Sequence, residues 1–350
     1  MADAAPHRPS ALARLLRWFL LFAVLIGVAL AGVLWLGYRG FADAPLLPQD
    51  AAPGSVVIER GDGFGTVLAN LRGEGVTAGH PLQWKALAFE TGARGRIKAG
   101  EYALDPGLSP RELLQRMAAG TVIQRRFTIV EGWNIRQLRA ALARVEMLGQ
   151  RSDGMSDAEL MAALGHEGEH PEGRFLPETY SWVRGDSDLD LLRRAYDAMT
   201  ATLDTLWAER ADDTPVDSPY EALILASIIE KETAVAAERP QIAGVFARRL
   251  ERGMLLQTDP TVIYGVGEAY DGVILRSHLD TDTPYNTYTR AGLPPTPIAM
   301  PGRAAIAAAL DPADGDALYF VARGDGSHVF SATLREHNRA VACYRRGGCE

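Results

Sequence analysis

The sequence predicts an α+β protein carried on a single N-terminal transmembrane helix. Three observations predict it. An uncharged apolar run, Trp18 to Tyr38, lies between Arg17 and Arg39. Short strand-like runs and capped amphipathic helices then follow one another with no internal repeat. Near the middle, an apolar helix from Tyr220 to Ile229 ends abruptly in Glu230-Lys231-Glu232.

The first run is long enough to cross a hydrocarbon core of about 30 Å at 1.5 Å per residue. Arg8, Arg14 and Arg17 precede it against one acid, Asp3. Residues 1–17 are therefore expected as a cytoplasmic tail, 18–38 as the span, and the rest outside the cytoplasm. Trp18, Trp35 and Tyr38 suit the two interfacial belts. A cleaved signal peptide competes, with Ala42-Asp43-Ala44 as its small-residue pattern, but its apolar region is usually only about 7–15 residues. Residues 39–54, rich in Pro and Ala, read as a linker leaving the membrane.

About 310 residues remain, enough for two domains. A strand at 55–59, a helix through Val67 and Leu71, a second helix from Pro81 and a strand at 98–104 make a small α+β unit. A helix capped by Ser109, with Pro110 at its first position, completes residues 55–120. The larger region, 121–342, opens with a strand at 125–130 and an amphipathic helix on Ile135, Leu138 and Leu142. A polar Gly-rich loop with one short helix covers 149–172, and a long helix runs from Asp188 to Glu209. Further helices are expected at 240–252 and 303–310, and a hairpin around Gly324-Asp325-Gly326. Residues 343–350 read as a tail.

Composition narrows the chemistry. The net charge of -8, with no sustained basic patch, argues against nucleic acid. The only cysteines are Cys343 and Cys349, and the histidines are scattered without ligand spacing. No metal and no other cofactor is expected. Outside the cytoplasm the two cysteines can close a small loop; two idle surface thiols fit equally well.

The central helix carries the sharpest signal. Ser218 suits its N-cap, Pro219 its first position and Glu221 a capping box. Glu230 lies one heptad after Leu223 and continues a buried stripe. A carboxyl leaving such a helix should have a raised pKa, because desolvation disfavours its charged form. That is the pattern of a general acid; a solvated helix end is the alternative reading. Residues two apart on a helix diverge, so Glu230 and Glu232 cannot act as a pair, and spacing alone does not choose between them. Downstream come Gln257-Thr258-Asp259-Pro260, Tyr285-Asn286-Thr287-Tyr288, Gly292-Leu293-Pro294-Pro295 and Met300-Pro301-Gly302. Aromatic faces and fixed amides and hydroxyls in short loops suit carbohydrate.

Taken in order, these motifs resemble the YceG-like family, the endolytic murein transglycosylases. The resemblance covers about residues 55 to 340 and is strongest from Ala226 to Gly302. Gly173-Arg-Phe-Leu-Pro-Glu178-Thr is similar to the family's Gly-x-x-x-Pro-Asp-Thr, with Glu178 where Asp is usual. Met300 stands where Asn is usual. Residues 55–120 resemble the family's LysM-like subdomain, and 121–342 its catalytic domain. The resemblance implies a lyase at the inner membrane, acting outside the cytoplasm. It would cut the bond between N-acetylmuramic acid and N-acetylglucosamine in nascent peptidoglycan strands. It would leave 1,6-anhydro ends and terminate elongation beside membrane peptidoglycan synthases. It implies Glu230 as the catalytic residue, with Gln257, Thr258, Asp259, Tyr285, Asn286, Tyr288 and Glu178 binding the glycan. A two-carboxylate hydrolase and a non-enzymatic glycan-binding scaffold are the rival classes.

Overall fold

The computed structural model describes residues 11–346; Asp3, Arg8 and Cys349 lie outside them. Two compact units form, Met1–Gln124 and Arg125–Glu350.

The first unit contains α1 (Ala11–Asp43), β1 (Gly54–Ile58), α2 (Phe64–Gly73), α3 (Pro81–Glu90), β2 (Gly100–Leu104) and α4 (Pro110–Ala119). β1 and β2 pair antiparallel, Gly54 opposite Leu104 and Ile58 opposite Gly100. Alternation along the ribbon sends Val56, Ile58, Tyr102 and Leu104 to one face. There they meet Val67 and Leu71 of α2, Trp84 and Leu87 of α3, and Leu113, Leu114 and Met117 of α4. Ser109 caps α4 reciprocally: its hydroxyl accepts from Glu112 N, and the Glu112 carboxylate accepts from Ser109 N at 3.0 Å. Such a cap contributes about 1 kcal/mol.

Large apolar side chains of α1 are exposed along its length, from Leu12 to Leu36. A helix apolar on every face and without protein partners is suited to lipid. Residues 39–54, expected as a linker, divide instead. The helix continues to Asp43, and Ala42 and Leu46 are buried in the unit's core. Leu46 N donates to Leu108 O at 2.7 Å. The small core draws on this segment for apolar surface, so the apolar helix runs straight into a packed body.

The second unit contains β3 (Arg125–Thr128), α5 (Ile135–Leu142), α6 (Asp157–Leu164), β4 (Thr179–Trp182), α7 (Asp188–Ala208) and α8 (Pro219–Glu232). It continues with α9 (Arg239–Glu251), α10 (Asp259–Val266), α11 (Arg276–Asp280), α12 (Arg303–Leu310), β5 (Tyr319–Ala322), β6 (His328–Ser331) and α13 (Leu334–Tyr344). Its strands form two antiparallel ribbons, β3 with β4 and β5 with β6. One core gathers α5, α6, α7 and Trp182 of β4. The other surrounds α8, whose residues Ala222 to Ile229 are all buried, and includes Ile242, Phe246, Ile306 and Leu310.

Ser218 caps α8 as expected, accepting from Glu221 N at 3.2 Å. The Glu221 carboxylate turns to Asp217 N at 2.7 Å, so the expected reciprocal box does not close. Periodicity does not mark α11, which is five residues long, or α13, which has no buried residue among those described. Cys343, on α13, is disulfide-bonded.

Candidate active site at the end of the central helix

α8 presents its two glutamates on different sides, because positions two apart are separated by about 200° around a helix. Their surroundings differ accordingly.

Glu230 is engaged by protein. Its Oε2 accepts from Gly302 N at 3.0 Å and its Oε1 from Arg239 Nη2 at 3.2 Å. Arg239 also lies 3.7 Å from Glu131 Oε2. Glu131 covers Gly302 closely: a Cβ at Gly302 would fall 2.0 Å from Glu131 Oε1. One turn earlier, Ser227 Oγ accepts from Ile298 N at 3.0 Å. Ser227 and Glu230 thus bind two backbone N–H groups of the same loop and fasten it along α8. Burial raises the Glu230 pKa, and the Gly302 N–H and Arg239 oppose that rise.

Glu232 faces a cleft of about 610 Å³, lined among others by Gln257, Asp259, Tyr288, Tyr319 and His328. Glu230 is not among its lining residues. The Glu232 carboxyl is bonded by the Thr258 hydroxyl. Desolvation pushes its pKa up to about 7, and the neighbouring Asp259 carboxylate adds to the rise. Thr258 is the residue before α10, where its hydroxyl would ordinarily cap the helix, yet it makes no cap bond. It is turned to Glu232 instead. Its own backbone is held by Thr287, whose Oγ1 accepts from Thr258 N at 3.1 Å. Under the cleft, Arg249 donates to the carbonyls of Leu255, Leu256 and Leu318.

The other expected binding residues separate. Gln257 is exposed, with φ of 53°. Asp259 is exposed and accepts from Tyr288 Oη at 2.6 Å; burial raises the tyrosine pKa, and this bond to a carboxylate adds to the rise. Asn286 is only 1% exposed. Its Nδ2 donates to the carbonyls of His278, Leu279 and Thr281, and its Oδ1 accepts from Tyr288 N. That corrects the expected sugar contact: both ends of the amide are occupied in shaping the loop that carries Tyr288. Tyr285 bonds Thr296 and packs edge-on against Tyr264, away from the Glu232 cleft. Glu178 is exposed at the start of β4, where its carbonyl accepts from Ile129 N. Lys231 donates to Gly132 O at 3.2 Å. Met300 is fully buried and pairs through its backbone with Gly132 and Trp133, so no side-chain amide is needed there.

The buried carboxyl near the Gly173 motif is Glu172, which sequence reasoning missed. It is 0% exposed, accepts from Ile135 N at 3.0 Å and from Tyr264 Oη at 2.9 Å, and borders a separate cavity of about 320 Å³. Desolvation raises its pKa to about 7. Only its place beside a loop glycine hinted at this. Gly173 has φ of 78°, and a Cβ there would lie 2.5 Å from Pro297 Cβ. The raised pKa has a stability consequence. Neutral Glu172 favours the fold below about pH 4.5, and that contribution is lost as pH rises through about 7. Glu172→Gln keeps the acceptor and cannot ionise. Wild type should lose on the order of 3 kcal/mol relative to the variant between pH 4 and pH 8, measured by denaturant unfolding. A pH-independent difference would rule out a neutral buried carboxyl.

A carboxyl whose pKa burial raises to about 7, facing a cleft lined by aromatic, amide and carboxylate groups, has the chemistry an acid–base site for a hydroxyl-rich ligand would need. The chain belongs to the YceG-like family, which it matches over residues 56–343. It is 34% identical over 270 residues to the endolytic murein transglycosylase of Bacillus subtilis, covering 72% of this chain and 74% of that one. The endolytic murein transglycosylase of Streptococcus pneumoniae is 28% identical over 282 residues, covering 70% of this chain and 50% of its own length. Among solved structures, a YceG-like protein from Listeria monocytogenes aligns with a TM-score of 0.51 at 28% identity. That alignment covers 82% of this chain and 99% of the Listeria chain.

Proposed function

We propose that the protein is an endolytic peptidoglycan lytic transglycosylase, a lyase that cuts between N-acetylmuramic acid and N-acetylglucosamine and terminates nascent strands. The family match and the relatives named for this activity support the reaction class. One observation carries the site assignment. Glu232, not Glu230, shares the open cleft with Gln257, Asp259 and Tyr288. Both oxygens of Glu230 are engaged by Gly302 and Arg239. Glu232 is therefore the acid/base in this reading, and Glu230 anchors the loop beside it.

The chemistry needs one cycling proton. Protonated Glu232 delivers it to the glycosidic oxygen as the bond from the muramic C1 breaks. The resulting carboxylate takes the proton of that sugar's 6-hydroxyl as O6 bonds to C1. The internal nucleophile replaces water, so no second carboxylate is required. Desolvation and the neighbouring Asp259 carboxylate favour the acid form of Glu232 at the start, while the Thr258 hydroxyl bond opposes them and favours the carboxylate formed after proton transfer. Asp259 and Tyr288 lie where a sugar hydroxyl or acetamide would enter.

A second reading comes from Asp259, a carboxylate in the same cleft, which could activate water in a hydrolase. Mass spectrometry of products from purified glycan strands separates the two. Anhydromuramic ends are expected; reducing muramic ends carrying solvent oxygen would overturn the lyase reading. The rate should fall as pH rises through about 7, because Glu232 must begin protonated.

The apolar helix α1 supports single-pass anchoring in the inner membrane, with the N-terminus cytoplasmic and the chain from residue 39 onward outside. The β1–α2–α3–β2 order supports a LysM-like unit over residues 55–120, followed by the catalytic domain at 121–342 and a tail from 343. Peptidoglycan strands are the substrate, and membrane peptidoglycan synthases the partners.

A further inference from the structure

We propose that α3 of the first unit is a membrane-surface helix that lies against anionic phospholipid of the bilayer α1 spans. The proposal rests on reading α1 as that span.

Three observations carry it. The first is a stripe. Leu82, Lys85, Ala86 and Phe89 are exposed at helical spacing i, i+3, i+4 and i+7, opposite the buried Trp84, Leu87 and Ala88. Phe89 is 75% and Leu82 67% exposed, the largest exposures of big apolar side chains among the described residues beyond α1. A helix with a buried inner face gains nothing in water from a second apolar stripe.

The second observation is height above the bilayer. Tyr38, at the end of the uncharged span, donates to Glu90, the residue after Phe89. Phe41 meets Trp84 edge-on at 5.3 Å between ring centroids. These contacts join positions three apart on α1 to positions six apart on α3, a rise of about 4.5 Å against about 9 Å. α3 therefore crosses α1 obliquely, with its Phe89 end beside the last residue of the span. Glu90 is neutralised there by Arg111, at 2.7 Å, so no free carboxylate opposes contact with lipid.

The third is charge. Lys85 sits within the stripe. Arg94 N donates to Ala88 O at 3.0 Å, which folds a basic segment, Arg94 and Arg96, back onto the Phe89 end. Both arginines are exposed. Apolar side chains flanked by cations are the composition of an interfacial helix, whose binding adds buried apolar area to attraction for anionic headgroups. With α1 already in the bilayer, α3 needs no affinity of its own to reach the surface; tethering supplies a high local concentration. The consequence is a first unit held in a set pose on the membrane.

Full-length Phe89→Cys carrying a nitroxide, reconstituted in phosphatidylcholine bilayers with and without phosphatidylglycerol, tests this. Leu25→Cys in α1 and Asp325→Cys in the β5–β6 turn serve as buried and aqueous references. The ratio of collisions with oxygen to collisions with a water-soluble nickel chelate should be several-fold higher at 89 than at 325. It should also be higher with phosphatidylglycerol present. Combining Lys85→Glu with Arg94→Glu should remove that lipid dependence. An aqueous ratio at 89 with a buried ratio at 25 would overturn the proposal while leaving the span intact. An aqueous ratio at 25 would overturn the span reading itself. Immersion at 89 that is equal in both lipids would overturn the anionic preference, and protection seen only with another membrane protein present would make the stripe a protein contact.

Discussion

Glu232→Gln is expected to abolish strand cleavage to the limit of detection while leaving the fold intact. The amide accepts the Thr258 hydroxyl bond in place of the acid but cannot cycle a proton. Losing general acid–base catalysis costs on the order of 10²–10⁴ in rate, and one residue serving both half-steps should lie at the upper end or beyond. The amide also cannot ionise in its desolvated site, so the variant should match or exceed wild-type stability above pH 7. Glycan binding should survive. The comparison that decides the assignment is Glu230→Gln, assayed on the same strands. It keeps an acceptor for Gly302 N–H and should retain most activity. If Glu230→Gln is dead and Glu232→Gln turns over normally, the acid/base is Glu230, as the family resemblance implied.

Glu230→Ala is the second large effect, and it is one of stability. Removing the carboxylate strips Arg239 of its closest partner, in a side chain only 12% exposed. It also leaves Gly302 N without its acceptor. Breaking a buried ion pair from one side costs about 3–5 kcal/mol, because an uncompensated charge remains. Arg239 keeps only the longer approach to Glu131, and its Nε already has no partner among the described residues. The midpoint of denaturant unfolding should fall accordingly. Combining Glu230→Ala with Arg239→Met should recover part of the loss, since no bare cation is then left. A stability within about 0.5 kcal/mol of wild type for Glu230→Ala, the range of ordinary surface substitutions, would rule out the anchoring role.

Much of the fold was legible along the chain because its signals are local. Ser109 with Glu112 and Pro110 announces α4, since capping chemistry involves residues only three apart. The apolar run of α1 is legible as a helix long and apolar enough to cross a membrane, since length and composition are read directly along the chain. Val56, Ile58, Tyr102 and Leu104 alternate as half-buried strands do. The linker reading of 39–54 failed because Ala42 and Leu46 are buried by partners far along the chain, such as Leu108. Asn286 was misread for a similar reason. A Tyr-Asn-Thr-Tyr run looks like a ligand loop, but the carbonyls of His278, Leu279 and Thr281 claim its amide first.

By itself the sequence determined the mixed helix–strand class, the lipid-suited first helix, the family, and the central helix ending in two glutamates. All of these rest on composition, periodicity or motif order within short stretches. Only the tertiary structure decided what each glutamate faces. Helical geometry sends Glu230 and Glu232 to different sides, but which side is protein and which is cleft depends on distant segments. Pro301-Gly302 and Arg239 close over one, while Gln257, Asp259, Tyr288 and the β5–β6 ribbon leave space beside the other. A carboxyl's pKa and its access to substrate are set by that surrounding volume, which no local pattern around Glu-Lys-Glu encodes.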